Sequence, residues 1–361
     1  MEQSLFLEWV KKYFPGIVVS IVETTNNTKN AVTYLHKTML RREFSVTGKW
    51  ESINASNTLI MADVVSMDSS LPLKKRDSIS KASGDIPKMG LELKLNEKQL
   101  SDLDVLVAQN GTTEQILSKL FQDTPRVIGA VNERIEEMFL QGLSSGVTLV
   151  DDTENVGTGV RLDYGYKTAN KFGVSTLWST PATALPFDDI QRVLDKANAD
   201  GYTITKVMLD RTAFNNLAKT TQAKELFAFS QGFVGTKIPT PSFAQLNTFV
   251  SDRYGFTFQV VDRSVRYEKN GVQTAKKPWQ DGAVVFLTSD QIGTMAWAKL
   301  AEANHPVSGV EYQTADEFIL VSKYRMNKPS LGEFTNAQAR AVPVISNVDQ
   351  IYTIDSKTVQ A

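Results

Sequence analysis

A chain of 361 residues with 42% hydrophobic side chains has room for two domains and is too apolar for a disordered linker. Its 39 basic and 40 acidic residues leave a net charge of -1, so the chain as a whole is not a strong polyanion binder. The absence of cysteine excludes disulfides, thiolate nucleophiles, iron–sulfur ligation and cysteine zinc sites together, and two histidines exclude a histidine-rich metal centre.

The N-terminus, Met1-Glu2-Gln3-Ser4, is acidic where a signal peptide is basic, and residues 17–22 fall far short of the ~20 apolar residues that span a bilayer. An intracellular product with no membrane partner is expected. Leu5, Phe6, Trp9, Val10, Tyr13 and Phe14 fit one face of a short helix ended by Pro15-Gly16, followed by a strand over residues 17–25 and a polar turn over 26–30. So short an apolar helix is expected to dock, either within the chain or on a neighbour.

Residues 57–65 read as a strand, and residues 66–87 as a polar stretch carrying Lys74-Lys75-Arg76. That stretch fits either a flexible surface loop or a hairpin arm that reaches another subunit. Residues 88–96 alternate cleanly, with Met89, Leu91, Leu93 and Leu95 on one side and Lys88, Glu92, Lys94 and Asn96 on the other, the period of a half-exposed strand. Thr112 and Gln115 form a capping box, and Asp123-Thr124-Pro125 reads as a second helix start. Val127, Ile128, Val131, Ile135, Met138 and Phe139 make its apolar stripe, with Glu133, Arg134, Glu136 and Glu137 on the polar side and Gly142 and Gly146 marking its end.

A Gly- and Asn-rich stretch, 151–165, precedes a strand over 171–178 and then an α/β region. Within it, Pro186 opens a helix, residues 203–209 form a strand, and Asp210 caps the next helix. Residues 256–261 make another strand, Asn270-Gly271 turns a hairpin between 263–267 and 272–276, and 282–287 is a buried strand. Extended patterns return over 317–324 and 341–354.

The search for chemistry finds little. Gly157-Thr158-Gly159 lacks the strand–turn–helix context of a dinucleotide site, and neither a phosphate loop nor a nucleophile elbow occurs. His36 and His305 read as structural or surface histidines. Asp151-Asp152 and Asp188-Asp189 read as helix-start and turn residues. No catalytic residue, cofactor or metal is expected, and an enzyme is not.

The order of parts (an N-terminal arm, a long polar hairpin, a long helix, an inserted α/β region and a return strand) resembles the tailed-phage major capsid proteins with the Hong Kong 97 fold. Local sequence is similar to their lambda-type major head protein, or major capsid protein E, family. The matching pieces are Ala62-Asp63-Val64-Val65, Leu71-Pro72-Leu73-Lys74-Lys75-Arg76, the helix over 126–144, Gly332-Glu333-Phe334-Thr335 and Ala341-Val342-Pro343-Val344.

The resemblance implies an α+β fold with an N-arm (1–43), an extended β-hairpin loop (44–100), a peripheral domain with a spine helix (101–185), an axial α/β domain (186–303) and C-terminal strands completing the peripheral domain (304–361). It implies a structural protein of the virion, assembled in the host cytoplasm, that forms hexamers and pentamers of an icosahedral head around double-stranded DNA held without sequence preference. Some relatives carry a charged helical scaffolding segment ahead of the N-arm. This sequence has none, so a separate scaffolding protein is implied, with a portal and, as an optional partner, a decoration protein. Intersubunit contacts are expected from Lys74, Lys75, Arg76, Met89, Leu91, Leu93 and Leu95. Two alternatives stay open: an encapsulin-like nanocompartment shell and an Asp/Glu-based hydrolase.

Overall fold

In the computed structural model, which describes residues 1–27, 34–55, 79–151, 159–235, 237–328 and 330–360, Pro15 lies inside a helix instead of ending one. This helix, α1 (Leu7–Asn26), replaces both the short helix and the strand expected after it. Val10, Phe14 and Val18, four residues apart, are buried on one side, so the apolar stripe runs straight through the proline. Pro15 and Gly16 face outward. There water can reach the Lys11 carbonyl that loses its helical N–H partner, and burial of the opposite face outweighs the ~3 kcal/mol intrinsic cost of an interior proline.

Next come α2 (Leu35–Met39), β1 (Leu40–Phe44), β2 (Lys49–Ala55), β3 (Ile79–Asp85), β4 (Lys88–Asn96), α3 (Glu97–Ala108), α4 (Thr113–Leu120) and α5 (Thr124–Ser145). The strand expected over 57–65 and the tip residues Lys74, Lys75 and Arg76 lie outside the described residues. Part of the expected polar loop, Ile79–Asp85, is a strand paired with β2. Helix α3 was not expected, although Asn96 and Gln99 form a reciprocal capping box as complete as that of Thr112 and Gln115 at α4.

Then follow β5 (Val147–Val150), β6 (Val160–Asp163), β7 (Lys171–Val174), α6 (Pro186–Ala199), β8 (Lys206–Asp210), α7 (Arg211–Lys219), α8 (Thr221–Ser230) and α9 (Phe243–Tyr254). The chain ends through β9 (Thr257–Val261), β10 (Val265–Lys269), β11 (Val272–Lys276), β12 (Ala283–Leu287), β13 (Gly293–Ala298), α10 (Ala301–Asn304), β14 (Glu311–Ala315), β15 (Ile319–Met326), β16 (Gly332–Ile345) and β17 (Tyr352–Val359).

Two compact units form, one from described residues within 1–50, 83–138 and 294–344, the other from those within 51–82, 139–293 and 345–361. The first is built on a sheet ordered β1-β13-β16-β15-β14, with β4 also paired to β16. Strand β4 runs antiparallel to β16 from Lys88↔Arg340 to Asn96↔Gly332, so the alternating strand read in the sequence is an edge of this sheet and not half of an isolated hairpin. Helix α1 packs along β14, and Phe14 stacks on Phe121.

The second unit holds a five-stranded sheet ordered β7-β17-β12-β8-β9, parallel at β7/β17 and β8/β9 and antiparallel at β12. All five residues of β12 are buried, as expected of a central strand. The core around it includes Trp178, Phe187, Phe256, Phe286 and Tyr352. Asp210 accepts from the backbone N–H groups of Thr212 and Ala213, the N-cap expected of it, and its other oxygen accepts from Gly282 N–H. Asn270 (φ 53°) and Gly271 (φ 76°) give the two left-handed residues of the β10–β11 turn.

Helix α5 departs from its expected polarity. Its apolar stripe is buried together with Asn132, but so are Glu136 and Glu137 from the side expected to face water. A helix covered nearly all round must pair its buried carboxylates, and Glu137 accepts from Arg134 at 3.2 Å.

Candidate functional site

Of the residues expected to carry intersubunit contact, Met89, Leu91, Leu93 and Leu95 lie on β4, where Lys88–Asn96 pairs along its whole length with β16. Its apolar side grades along the strand: Leu95 is buried at 3% exposure, Met89 and Leu93 are half-buried, and Leu91 is 39% exposed. The polar side is also engaged. Glu92 accepts from the Tyr324 hydroxyl, and Lys94 lies over the Phe334 ring and donates to the Ser330 hydroxyl. One edge of β4 is filled by β16. The other carries no strand among the described residues.

The N-terminal segment docks within the chain. Glu2 forms a backbone bridge with Arg325, and its carboxylate accepts from the Arg325 guanidinium and from Asn327. Leu5 N–H donates to the buried carboxylate of Glu333. Further on, Asp316 gathers Asn26, Lys37 and Arg42, and this concentration of donors and cations holds its carboxyl below the usual carboxylate range despite burial.

Sequence reading missed the environment of His36. The ring is 1% exposed and its Nδ1 lies 2.7 Å from Glu136 on α5, one hundred residues away. Nothing in helical periodicity marks such a pair, because the partner comes from a separate segment. Tyr34 donates to the neighbouring Glu133 at 3.0 Å. His305 ends the short α10 and is exposed.

Apolar side chains also project from surfaces that sequence patterning did not single out. Val46 is 87% exposed, and Phe229 and Val234, at and beyond the end of α8, are 85% and 99% exposed. Together with Leu91 they are apolar side chains that the chain by itself leaves in water.

The geometry offers little for catalysis. Among the described residues no group of three or more His, Asp or Glu side chains is placed to hold a metal ion. Asp188 and Asp189 are occupied structurally: Asp189 accepts from Ser175 N–H and the Trp178 indole, and Asp188 from Gln222. Gly157 and Thr158 lie outside the described residues. A cavity of about 40 Å³, lined by His36, Lys37, Leu40, Arg42, Met295 and Phe318, is an order of magnitude smaller than ordinary substrate pockets. No helix among the described residues is long and apolar enough to cross a membrane.

One buried amine has a shifted titration. Lys323 is fully buried in β15, donates to the Leu120 carbonyl at the end of α4 and to the Thr335 hydroxyl, and lies over the Phe121 ring. Burial lowers its pKa to about 8, opposed by Glu333 and Asp123. A folded pKa below the unfolded value means that this lysine adds stability as pH rises from about 8 toward 10.5. Lys323→Met removes that gain. Between pH 7 and about pH 10, chemical denaturation is expected to show the variant losing about 2–3 kcal/mol relative to the parent. A constant difference across that range would place the lysine's pKa elsewhere.

The family model for phage major capsid protein E matches residues 18–356. Among solved structures, a prophage protein of E. coli CFT073 described as its capsid protein superposes with a TM-score of 0.59 at 12% identity, covering 94% of this chain and 98% of its own. A phage-related protein from Bordetella bronchiseptica RB50 superposes with a TM-score of 0.52 at 11% identity, covering 95% of this chain and 96% of its own. No curated protein sequence matches the chain.

Proposed function

The chain belongs to the phage major capsid protein E family and has the α+β Hong Kong 97-type capsid fold, and from that premise we propose that it is the repeating subunit of an icosahedral phage head. Its role is structural, and its place is the virion. In the proposed reading it self-assembles into hexamers and pentamers in the host cytoplasm, with a separate scaffolding protein and a portal, a decoration protein being optional. The closed shell holds double-stranded DNA without sequence preference, and a subunit of net charge -1 is suited to weak phosphate contacts more than to tight binding. Residues 1–43 are read as the N-arm, 44–100 as the extended hairpin, 101–185 and 304–361 as the peripheral domain with α5 as its spine, and 186–303 as the axial domain, with two exchanges at the expected bounds: β17 pairs with β12 and so joins the sheet of the 186–303 region, while β13 lies in the sheet of β16.

The observation that carries this reading is the family match along residues 18–356. Light scattering and negative-stain imaging of the purified protein test it: closed megadalton particles are expected, and a stable monomer that turns over a hydrolase substrate would overturn it.

For the proposed intersubunit role of the arm, Leu91 is the apolar side chain of β4 with the most surface left to bury, whereas Leu95 is already covered within its own chain. Burying the remaining exposed part of one leucine contributes about 1 kcal/mol per contact, repeated around a closed lattice. Leu91→Ser is therefore expected to leave the subunit folded, with an unchanged circular dichroism spectrum, and to raise the concentration needed for shell formation severalfold. Assembly at the parent's threshold concentration would remove Leu91 from the interface.

A further inference from the structure

Glu136 stands in α5 with its side chain fully buried, and it holds the start of α2 by three contacts. Its carboxylate accepts from the backbone N–H of Leu35 at 2.9 Å and of His36 at 3.0 Å, and lies 2.7 Å from the Nδ1 of His36. An ionised carboxylate only accepts, so Nδ1 carries a proton. The other ring nitrogen, Nε2, is buried and has no hydrogen-bond partner. The same ring lines the 40 Å³ cavity together with Lys37 and Arg42.

A second proton on the ring would put a buried N–H without an acceptor beside two cations. The charged groups around the pair come from every neighbouring element. Glu136 and Glu133 belong to α5, Lys37 to α2, Arg42 to β1, and Asp316 and Glu317 to the turn between β14 and β15. Asp316 already binds both Lys37 and Arg42. The Glu136 carboxylate favours a charged ring, but it is satisfied by the singly protonated one.

We propose that His36 and Glu136 form an acid-sensitive latch, in which neutral His36 keeps residues 34–39 on α5 and protonation of His36 releases them. Burial, reinforced by Lys37, depresses the pKa of His36 against the opposing pull of Glu136 and Asp316, while bonding to His36 and the two backbone N–H groups keeps Glu136 below the usual carboxylate range. The sign follows from linkage. A histidine whose closed-state pKa lies below its ordinary 6.5 favours the closed state above that value and loses this contribution as pH falls toward the depressed one. The latch rests on contacts within one subunit and is independent of the capsid reading.

Hydrogen exchange of the Leu35 and His36 amides in the full-length protein, corrected for intrinsic exchange chemistry, tests it. Protection is expected to be steady above about pH 7 and to fall by up to about tenfold per pH unit below about 6.5, while amides of Val284 and Val285 in β12 stay protected. His36→Asn keeps a side-chain N–H near the Nδ1 position but cannot titrate, so its protection is expected to be flat over the same range. Glu136→Gln, which removes the charge from the acceptor, is expected to show the loosened state already at neutral pH. The latch is overturned if the parent's protection is independent of pH, if β12 opens in parallel, or if His36→Asn follows the parent's fall. Should His36→Asn fail to fold, a Glu136→Gln protein as protected as the parent at neutral pH overturns it equally.

Discussion

Glu136→Ala is expected to be among the most damaging single substitutions in the chain, lowering the free energy of unfolding by about 3–5 kcal/mol, at about 1–3 kcal/mol for each buried donor left without an acceptor. The side chain has no exposed surface, and three donors converge on it: Leu35 N–H, His36 N–H and His36 Nδ1. Alanine removes the acceptor and leaves those donors buried without one, which costs far more than a hydrogen bond contributes when both partners can return to water. Urea denaturation should show a lower midpoint with an unchanged slope. A loss under about 1 kcal/mol would mean that α2 detaches readily and rehydrates its donors.

Gly142→Ala is expected to destabilise the protein although it improves helix propensity. In a solvated helix this exchange is worth about 1 kcal/mol in favour of alanine. At Gly142, however, an added Cβ would sit 2.5 Å from Tyr164 Cε2 and 2.6 Å from Thr148 Oγ1, both on buried side chains joined by a hydrogen bond. Neither can swing into solvent, so the helix or the β5–β6 hairpin must shift, at a cost of about 1–3 kcal/mol. Gly129, earlier in α5, provides the control, because nothing lies within 4 Å of its would-be Cβ. Gly129→Ala should raise the melting temperature where Gly142→Ala lowers it. If both variants melt higher than the parent, the contact of Tyr164 on α5 is looser than described.

The two glycines show how far the sequence alone reaches. Both stand in one helix, and the positions of Tyr164 and Thr148 tell them apart. Where a signal is local, it was legible. The capping box of Thr112 and Gln115, the Asp210 cap, the Asn270-Gly271 turn and the alternation of residues 88–96 each depend on backbone groups a few residues away. Local periodicity also holds the answer at α1, where Val10, Phe14 and Val18 mark one continuous face, but proline's usual role as a helix stop masks it in the sequence. Asn96 and Gln99 announced α3 just as plainly.

Fold class and family were determined by the sequence, because the order of arm, hairpin, long helix and α/β region is itself a linear property of the chain, and the family match runs along residues 18–356. Tertiary structure alone decided which polar side chains are buried and what they meet. Glu136 and Glu137 look like the wet face of an amphipathic helix until segments distant in sequence cover them, and His36 looks unpartnered until α5 brings Glu136 to it. It also decided how much of β4 remains available, since β16 fills one of its edges while Leu91 stays partly exposed. Local propensities come from neighbours along the chain. Burial and pairing come from neighbours in space, and they lower the pKa of His36 and Lys323 and decide the sign of substituting Gly142.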